Sequence, residues 1–307
     1  MDDWTLADAP TQTGQTAVVT GANSGLGYET TKGLAANGAE VVMACRNVSR
    51  GESARQDIER EVPDASLHVA ELDLASLESV AAFAERFCAE YDALDLLVNN
   101  AGVMALPRRE TADDFEMQFG TNHLGHFALT GHLLDAVQAA NAPRVATMSS
   151  AFHERGQMAF DDLQSERSYD RWAAYGQSKL ANLLFAYELD RRAKAITSVG
   201  VHPGYAATNL QTAGPEMEGS TLRKVGMSVA NAIIGQEPDD GALPMLYALT
   251  MPGVSGGEYY GPSGFLSMRG GPERQRSHER SYDRQTAQRL WAVSENLTGV
   301  SYLSETA

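Results

Sequence analysis

The sequence predicts an α/β fold, a doubly wound parallel sheet with helices packed on both faces. Three observations carry that prediction. Short β-type apolar runs alternate with longer helical patterns from Gln15 to about His202. The first run passes directly into a glycine-rich turn that opens a helix. No repeat, low-complexity segment or linker interrupts the 307 residues, so one domain is expected over 1–307, with an acidic leader over 1–12 and a less regular C-terminal region over about 205–307.

Taken in order, Gln15 to Thr20 reads as the first strand and Leu26 to Asn37 as the helix behind it, ended by Gly38. Glu40 to Ala44 gives the second strand, and Ser49 to Glu61 a helix that stops before Pro63. Leu67 to Leu72 is the third strand, Leu77 to Glu90 its helix, and Leu94 to Val98 the fourth strand. Phe115 to Ala140 reads as one long helix, Arg144 to Met148 as the fifth strand, Ala173 to Lys194 as a second long helix and Ile196 to His202 as the sixth strand. Beyond Pro203 the pattern blurs, with breaks at Gly214-Pro215 and Glu237-Pro238. A helix over Gly241 to Thr250, a short strand over Glu258 to Tyr260, a loop at Gly270-Gly271-Pro272 and an amphipathic helix over Ser281 to Asn296 complete the reading.

Composition excludes several classes. The net charge of −16 disfavours nucleic acid or anionic membrane as partner. No apolar run approaches the ~20 residues needed to span a bilayer, and the first 15 residues are polar and acidic, unlike a signal peptide. Only Cys45 and Cys88 are present, so no disulfide framework is implied and a reducing, cytoplasmic setting is expected. Of the 24 basic residues only four are lysine, which fits either a high-salt cytoplasm or the arginine-rich usage of a GC-rich genome.

Two local patterns carry chemistry. Gly21, Gly25 and Gly27, in Thr20-Gly-Ala-Asn-Ser-Gly-Leu-Gly27, let a backbone turn tightly and let a pyrophosphate approach a helix N-terminus. The segment lacks the Gly-Lys-Ser/Thr ending of a nucleoside-triphosphate loop. Tyr175 and Lys179 lie four apart on a helix and therefore share a face, where a cation would draw the phenol's pKa down from about 10. His123, His126 and His132 imitate metal-ligand spacing, but no carboxylate or cysteine nearby completes a site, so no metal is expected. Ser149-Ser150 lacks the Gly-x-Ser-x-Gly elbow of a hydrolase.

The glycine turn, Asn99-Asn100-Ala101-Gly102 and Tyr175-x-x-x-Lys179, in that order and spacing, resemble the short-chain dehydrogenase/reductase family over roughly residues 13 to 265. Tyr175 to Asn182, His202-Pro203-Gly204 and the long Ser150–Tyr175 gap resemble its retinol-dehydrogenase-like branch. The resemblance implies a single-domain Rossmann-like fold with a C-terminal substrate-binding extension, and hydride transfer between a nicotinamide and a carbonyl or alcohol. It implies that Tyr175 is the acid/base, Lys179 its cationic partner and a ligand of the nicotinamide ribose, and Ser150 (or its neighbour Ser149) the group that steadies the substrate oxygen. Asn122 would hold a water linking Lys179 to solvent. The cofactor would be held by Gly21, Asn23, Ser24, Gly25, Leu26, Gly27, Asp73, Leu74, Asn99, Ala101, Gly102, Pro203, Gly204 and Thr208. Asp73 could instead cap the following helix. Arg46, standing where a carboxylate would select NAD, favours NADP, with NAD possible if Arg46 is only a solvated loop cation. Tyr205, Met217, Tyr259 and Tyr260 suggest an apolar substrate. A homodimer or tetramer is implied unless the C-terminal extension blocks the interface. The alternatives are an NAD-preferring alcohol dehydrogenase of the same fold and a non-catalytic NADP-binding redox sensor.

Overall fold

A computed structural model describes residues 4–204, 238–264, 267 and 269–302. Eight strands form a single sheet in the order β3-β2-β1-β4-β5-β6-β7-β8. They are β1 (Thr16–Thr20), β2 (Glu40–Cys45), β3 (Ser66–Glu71), β4 (Leu96–Asn99), β5 (Arg144–Met148), β6 (Thr197–Val201), β7 (Tyr259–Pro262) and β8 (Pro272–Gln275). All neighbours pair in parallel except β7 and β8, which are antiparallel. Strand order reverses between β1 and β4, and open parallel sheets bind ligands at such a switch point, beyond the strands' carboxyl ends.

The central strands are buried on both faces, which is why β1 and β4 read as continuous apolar runs rather than alternating ones. On one face pack α1 (Gly25–Ala36), α2 (Val48–Glu61) and α8 (Pro238–Thr250), through Leu34, Ile58, Met245 and Leu246. On the other pack α3 (Leu77–Glu90), α5 (Gly125–His132), α6 (Leu134–Ala139) and α7 (Arg171–Arg192), through Phe83, Phe87, Phe127, Val137 and Phe185. Asn47, Ser76 and Asp170 cap α2, α3 and α7 with side-chain hydrogen bonds to first-turn amides. Within the expected leader, Trp4 meets Tyr247 of α8 edge-on at 5.3 Å between ring centroids.

Three expectations need correction. The single helix expected over Phe115 to Ala140 begins at Met117 as α4 (Met117–Phe119), passes through a π turn at Gly120–Leu124, and breaks at Leu133 between α5 and α6. The loop expected at Gly270-Gly271-Pro272 gives way at Pro272 to β8, whose pairing places Pro262 opposite Pro272 at the outer end of the sheet. A last helix, α9 (Arg284–Thr298), starts at the Asp283 cap, three residues later than expected, after a 3-10 turn over Glu279–Tyr282. It ends at Gly299, whose φ of +70° is the left-handed conformation that glycine adopts without strain. Its Trp291 stacks on Phe185 at 5.8 Å.

Candidate active site

The end of β1 and the end of β4 are bound together by one hydroxyl. Thr20 Oγ1 accepts from the backbone N–H groups of Asn100 and Ala101, both at 2.9 Å, and lies 2.9 Å from His126 Nε2. Asn100 Nδ2 donates back to the Thr20 carbonyl at 2.9 Å. This knot fixes the glycine turn, in which Gly21 and Gly25 take φ values of +68° and +54°. A Cβ at Gly27 would fall 2.3 Å from the Gly21 carbonyl oxygen and 2.6 Å from Asn100 Nδ2, so the turn closes only with glycine there. Ser24 starts α1 without a side-chain hydrogen bond to the first-turn amides, which leaves that helix end open to a ligand.

Beside the turn lies a cavity of about 490 Å³, lined by Gly21, Asn23, Ser24, Gly25, Leu26, Gly27, Arg46, Asp73, Leu74, Ala101, Gly102, Ser150, Tyr175, Lys179, Pro203 and Gly204, all of them expected from the sequence. Thr208, Tyr205 and Met217 lie outside the described residues. Two expected residues are placed elsewhere. Asn99 is fully buried on β4, with Nδ2 donating to Thr130 Oγ1 at 3.0 Å, and Asn100 lines the cavity in its stead. Asn122 sits in the π turn behind the cavity wall. Its Oδ1 accepts from Val103 N–H at 2.7 Å, and its Nδ2 donates to the Val103 carbonyl and to Ser178 Oγ, both at 2.9 Å. Its carbonyl oxygen lies 2.9 Å from His126 Nδ1. The side chain thus braces the loop after β4 against α7.

Geometry separates the two serines. Both line the cavity, but Ser149 is buried and its hydroxyl is committed to the Lys179 carbonyl at 2.8 Å, whereas Ser150 is half-buried and its hydroxyl stands beside the Tyr175 phenol. Asp73 lines the cavity too; Ser76 takes the cap of α3, and Asp73 Oδ1 accepts from Ala75 N–H at 3.0 Å. Tyr175 and Lys179 share a face as expected, with Nζ 5.8 Å from the phenol ring centroid and donating to the Met148 carbonyl at 3.1 Å.

The electrostatics depart from expectation. Burial pushes the Tyr175 phenol up to about 12, against which the Ser150 hydrogen bond works, and burial also holds the Lys179 ammonium down to about 8. The buried phenol loses more solvation of its anion than the Ser150 hydroxyl returns. Among the described residues no cluster of His, Cys, Asp or Glu is placed to bind a metal. His126 instead ties the π turn to Thr20, and His123 meets Ser294 of α9 at 2.9 Å.

The sequence reading missed an aromatic wall. Phe152 and Trp172 stack at 4.9 Å and 18°, both edge-on to Tyr175, and with Val103 and Met104 they give the cavity an apolar side. Trp172 stands three residues before Tyr175 on α7, a spacing that puts the two on one face and was available to read.

Residues 15–219 match the family described as short chain dehydrogenase. The chain belongs to that family. It is an oxidoreductase acting on alcohol and carbonyl groups. It is 40% identical to human retinol dehydrogenase 13, covering 94% of this chain and 85% of that one, and 38% identical to human retinol dehydrogenase 14 over 94% and 87%. Among solved structures, an uncharacterised protein from Mycobacterium paratuberculosis is 39% identical, with a TM-score of 0.80 and coverage of 98% and 99% of the two chains. A protein described as an NAD(P)-dependent gluconate 5-dehydrogenase from Beutenbergia cavernae, solved with bound NADP at low occupancy, is 26% identical with a TM-score of 0.59, covering 78% of this chain and 90% of its own. No helix among the described residues is long and apolar enough to cross a membrane.

Proposed function

We propose that this enzyme is an NADP(H)-dependent reductase of apolar aldehydes or ketones, able to run in the alcohol direction. The observation that carries the reading is a single cavity that joins Ser150, Tyr175 and Lys179 to the glycine turn and Arg46. The residues fit the dinucleotide. The uncapped α1 terminus and the turn with no room for a Cβ at Gly27 suit a pyrophosphate. Asp73 and Leu74 would face the adenine, Tyr175 and Lys179 the nicotinamide ribose, and Arg46 a 2′-phosphate. Arg46 is exposed, forms no ion pair among the described residues, and no carboxylate follows β2 to repel a phosphate.

When bound, the dinucleotide supplies the hydride; the rest falls to the chain. The Ser150 hydroxyl and the Tyr175 phenol converge to hold the substrate oxygen, and Tyr175, kept protonated by its burial, donates its proton as the carbonyl is reduced. Phe152, Trp172, Val103 and Met104 favour an apolar substrate. A sensor without catalysis is disfavoured by the presence of Tyr175, Lys179 and Ser150 in one cavity.

Steady-state rates on a panel of aldehydes and ketones with NADPH and with NADH test the reading. Turnover with a preference for NADPH is expected, and Tyr175→Phe should fold, bind NADPH and lose about 10²- to 10⁴-fold in kcat, the range a positioned acid contributes. Near-normal turnover in that variant refutes the assignment, and a preference for NADH makes the enzyme the NAD-dependent alternative.

A further inference from the structure

The loop that carries Ser150 is gripped from two sides. Ser150 opens a 3-10 turn over Ala151–Arg155. On the inner side the loop lies so close to α7 that a Cβ at Gly156 would fall 2.3 Å from the Gly176 carbonyl oxygen, next in sequence to Tyr175. On the outer side stands the segment after β8, beyond residue 219 where the family match ends. His153, 2% exposed, connects the two: Nδ1 lies 2.7 Å from the Ser150 carbonyl oxygen, and Nε2 accepts the backbone N–H of His278 at 3.0 Å. Because Nε2 accepts, the ring proton sits on Nδ1 and donates to Ser150. Arg280 Nη1 donates to the carbonyls of Glu154 and Gly156, each at 3.1 Å, holding the same segment against the same loop. Tyr187 of α7 adds a third tie through Ser277, 2.8 Å from its hydroxyl.

We propose that His153 is a positioning residue for the carbonyl chemistry, transmitting the hold of the 277–280 segment to Ser150, with Arg280 as the outer fastening. The inference rests on the role given to Ser150 above. A side chain that acts through another loses its effect once that other is gone, so a double-mutant cycle separates positioning from bulk stability.

His153→Phe keeps the ring volume and removes both hydrogen bonds. In the wild-type background it should lower kcat about 10- to 100-fold, the loss expected for a misplaced reacting group, with the Kd for NADPH within about twofold. In a Ser150→Ala background the same substitution should change kcat less than about twofold. An equal loss in both backgrounds, or no loss in the first, overturns the proposal. Arg280 is exposed, so Arg280→Met preserves the fold; it should lower kcat several-fold, and Arg280→Lys should recover most of it. Hydrogen exchange gives a readout independent of turnover: amides over 150–156 should exchange faster in His153→Phe and in Arg280→Met, with those of β1 and the glycine turn unchanged. Unaltered exchange in the loop overturns the proposal. A wild-type chain that reduced no carbonyl would instead sink the functional reading, and the exchange measurement would still decide the clamp.

Discussion

Burial and the neighbouring Ser150 hydroxyl pull the Tyr175 phenol in opposite directions, and burial prevails, holding it at about 12 while burial takes Lys179 down to about 8. Between pH 7 and 10 the phenol of the ligand-free enzyme is therefore protonated. Donating that proton to a carbonyl needs no prior step, whereas oxidising an alcohol needs the phenolate, whose fraction rises tenfold per pH unit below the pKa. Alcohol oxidation should accelerate from pH 7 to 10 while carbonyl reduction stays level or falls; pH profiles in both directions check this, and a flat oxidation profile would mean that Tyr175 ionises far more easily than its burial implies. Arg46 makes the second prediction at this scale. Arg46→Ala should weaken NADPH binding by roughly tenfold and leave NADH almost untouched, because a phosphate contact from an exposed arginine is charge-assisted but water-screened. Equal changes for both cofactors would remove Arg46 from the 2′-phosphate. The residues themselves were legible because their signals are local: a four-residue spacing on one helix and glycines at one turn. The sign of the Tyr175 shift was not, since it depends on enclosure by Phe152 and Trp172 and on a 5.8 Å separation that only the folded chain defines. Asn122 was legible as a site residue by its neighbours, but its three side-chain hydrogen bonds, to Val103 after β4 and Ser178 within α7, depend on how two other elements pack around it.

The strands of the parallel core could be read to within about two residues because burial on both faces leaves them as β-branched apolar runs closed by polar turns. The region over residues 117–139 misled for a physical reason. Helical periodicity does not distinguish an α turn from a π turn, and the widened turn at Gly120–Leu124 is set by Asn122 and His126 being drawn toward Val103 and Thr20. β8 has a charged, proline-led sequence, Pro-Glu-Arg-Gln, and becomes a strand only through pairing with β7. The glycine turn, by contrast, is dictated by its own backbone, and that gives a prediction at the scale of elements. In Gly27→Ala the new methyl meets the Gly21 carbonyl and Asn100 Nδ2, and no rotamer relieves contact with a backbone oxygen. The β1–α1 turn should be displaced from β4, with a loss of about 1–3 kcal/mol in unfolding free energy and at least tenfold weaker NADPH binding. Urea denaturation and fluorescence titration measure the two. Wild-type affinity in that variant would mean that the turn has slack the packing does not show.

At the scale of the whole molecule, two buried histidines join the sheet, the π turn and the C-terminal helix. His126 reaches Thr20 at the end of β1, and His123 reaches Ser294 of α9 from a pocket of Phe119, Phe127 and Phe185. Burial lowers His123 to about 3 and His126 to about 4, from an ordinary value of 6.5. The sign follows from linkage. Below pH 6.5 the unfolded chain takes up protons that the native chain refuses, so the stability is whole above pH 6.5 and drains as pH falls toward 4. Each histidine contributes a slope approaching about 1.4 kcal/mol per pH unit in that window, and His126 alone costs about 3 kcal/mol by pH 4. The net charge of −16 works the other way, since protonating carboxylates relieves repulsion on an acidic surface, and the raw acid lability mixes both effects. A substitution separates them. His123→Phe puts a fourth phenylalanine among Phe119, Phe127 and Phe185, removes one proton-accepting site and leaves the surface charge alone; its Nδ1 has no hydrogen-bond partner among the described residues to lose, and only the Ser294 hydroxyl is left unmatched. Unfolding free energies from urea titrations at pH 7, 6 and 5 should fall more shallowly in that variant, by close to one proton's slope at the acid end. Parallel curves for the two proteins would assign the acid lability to the carboxylates and remove His123 from it.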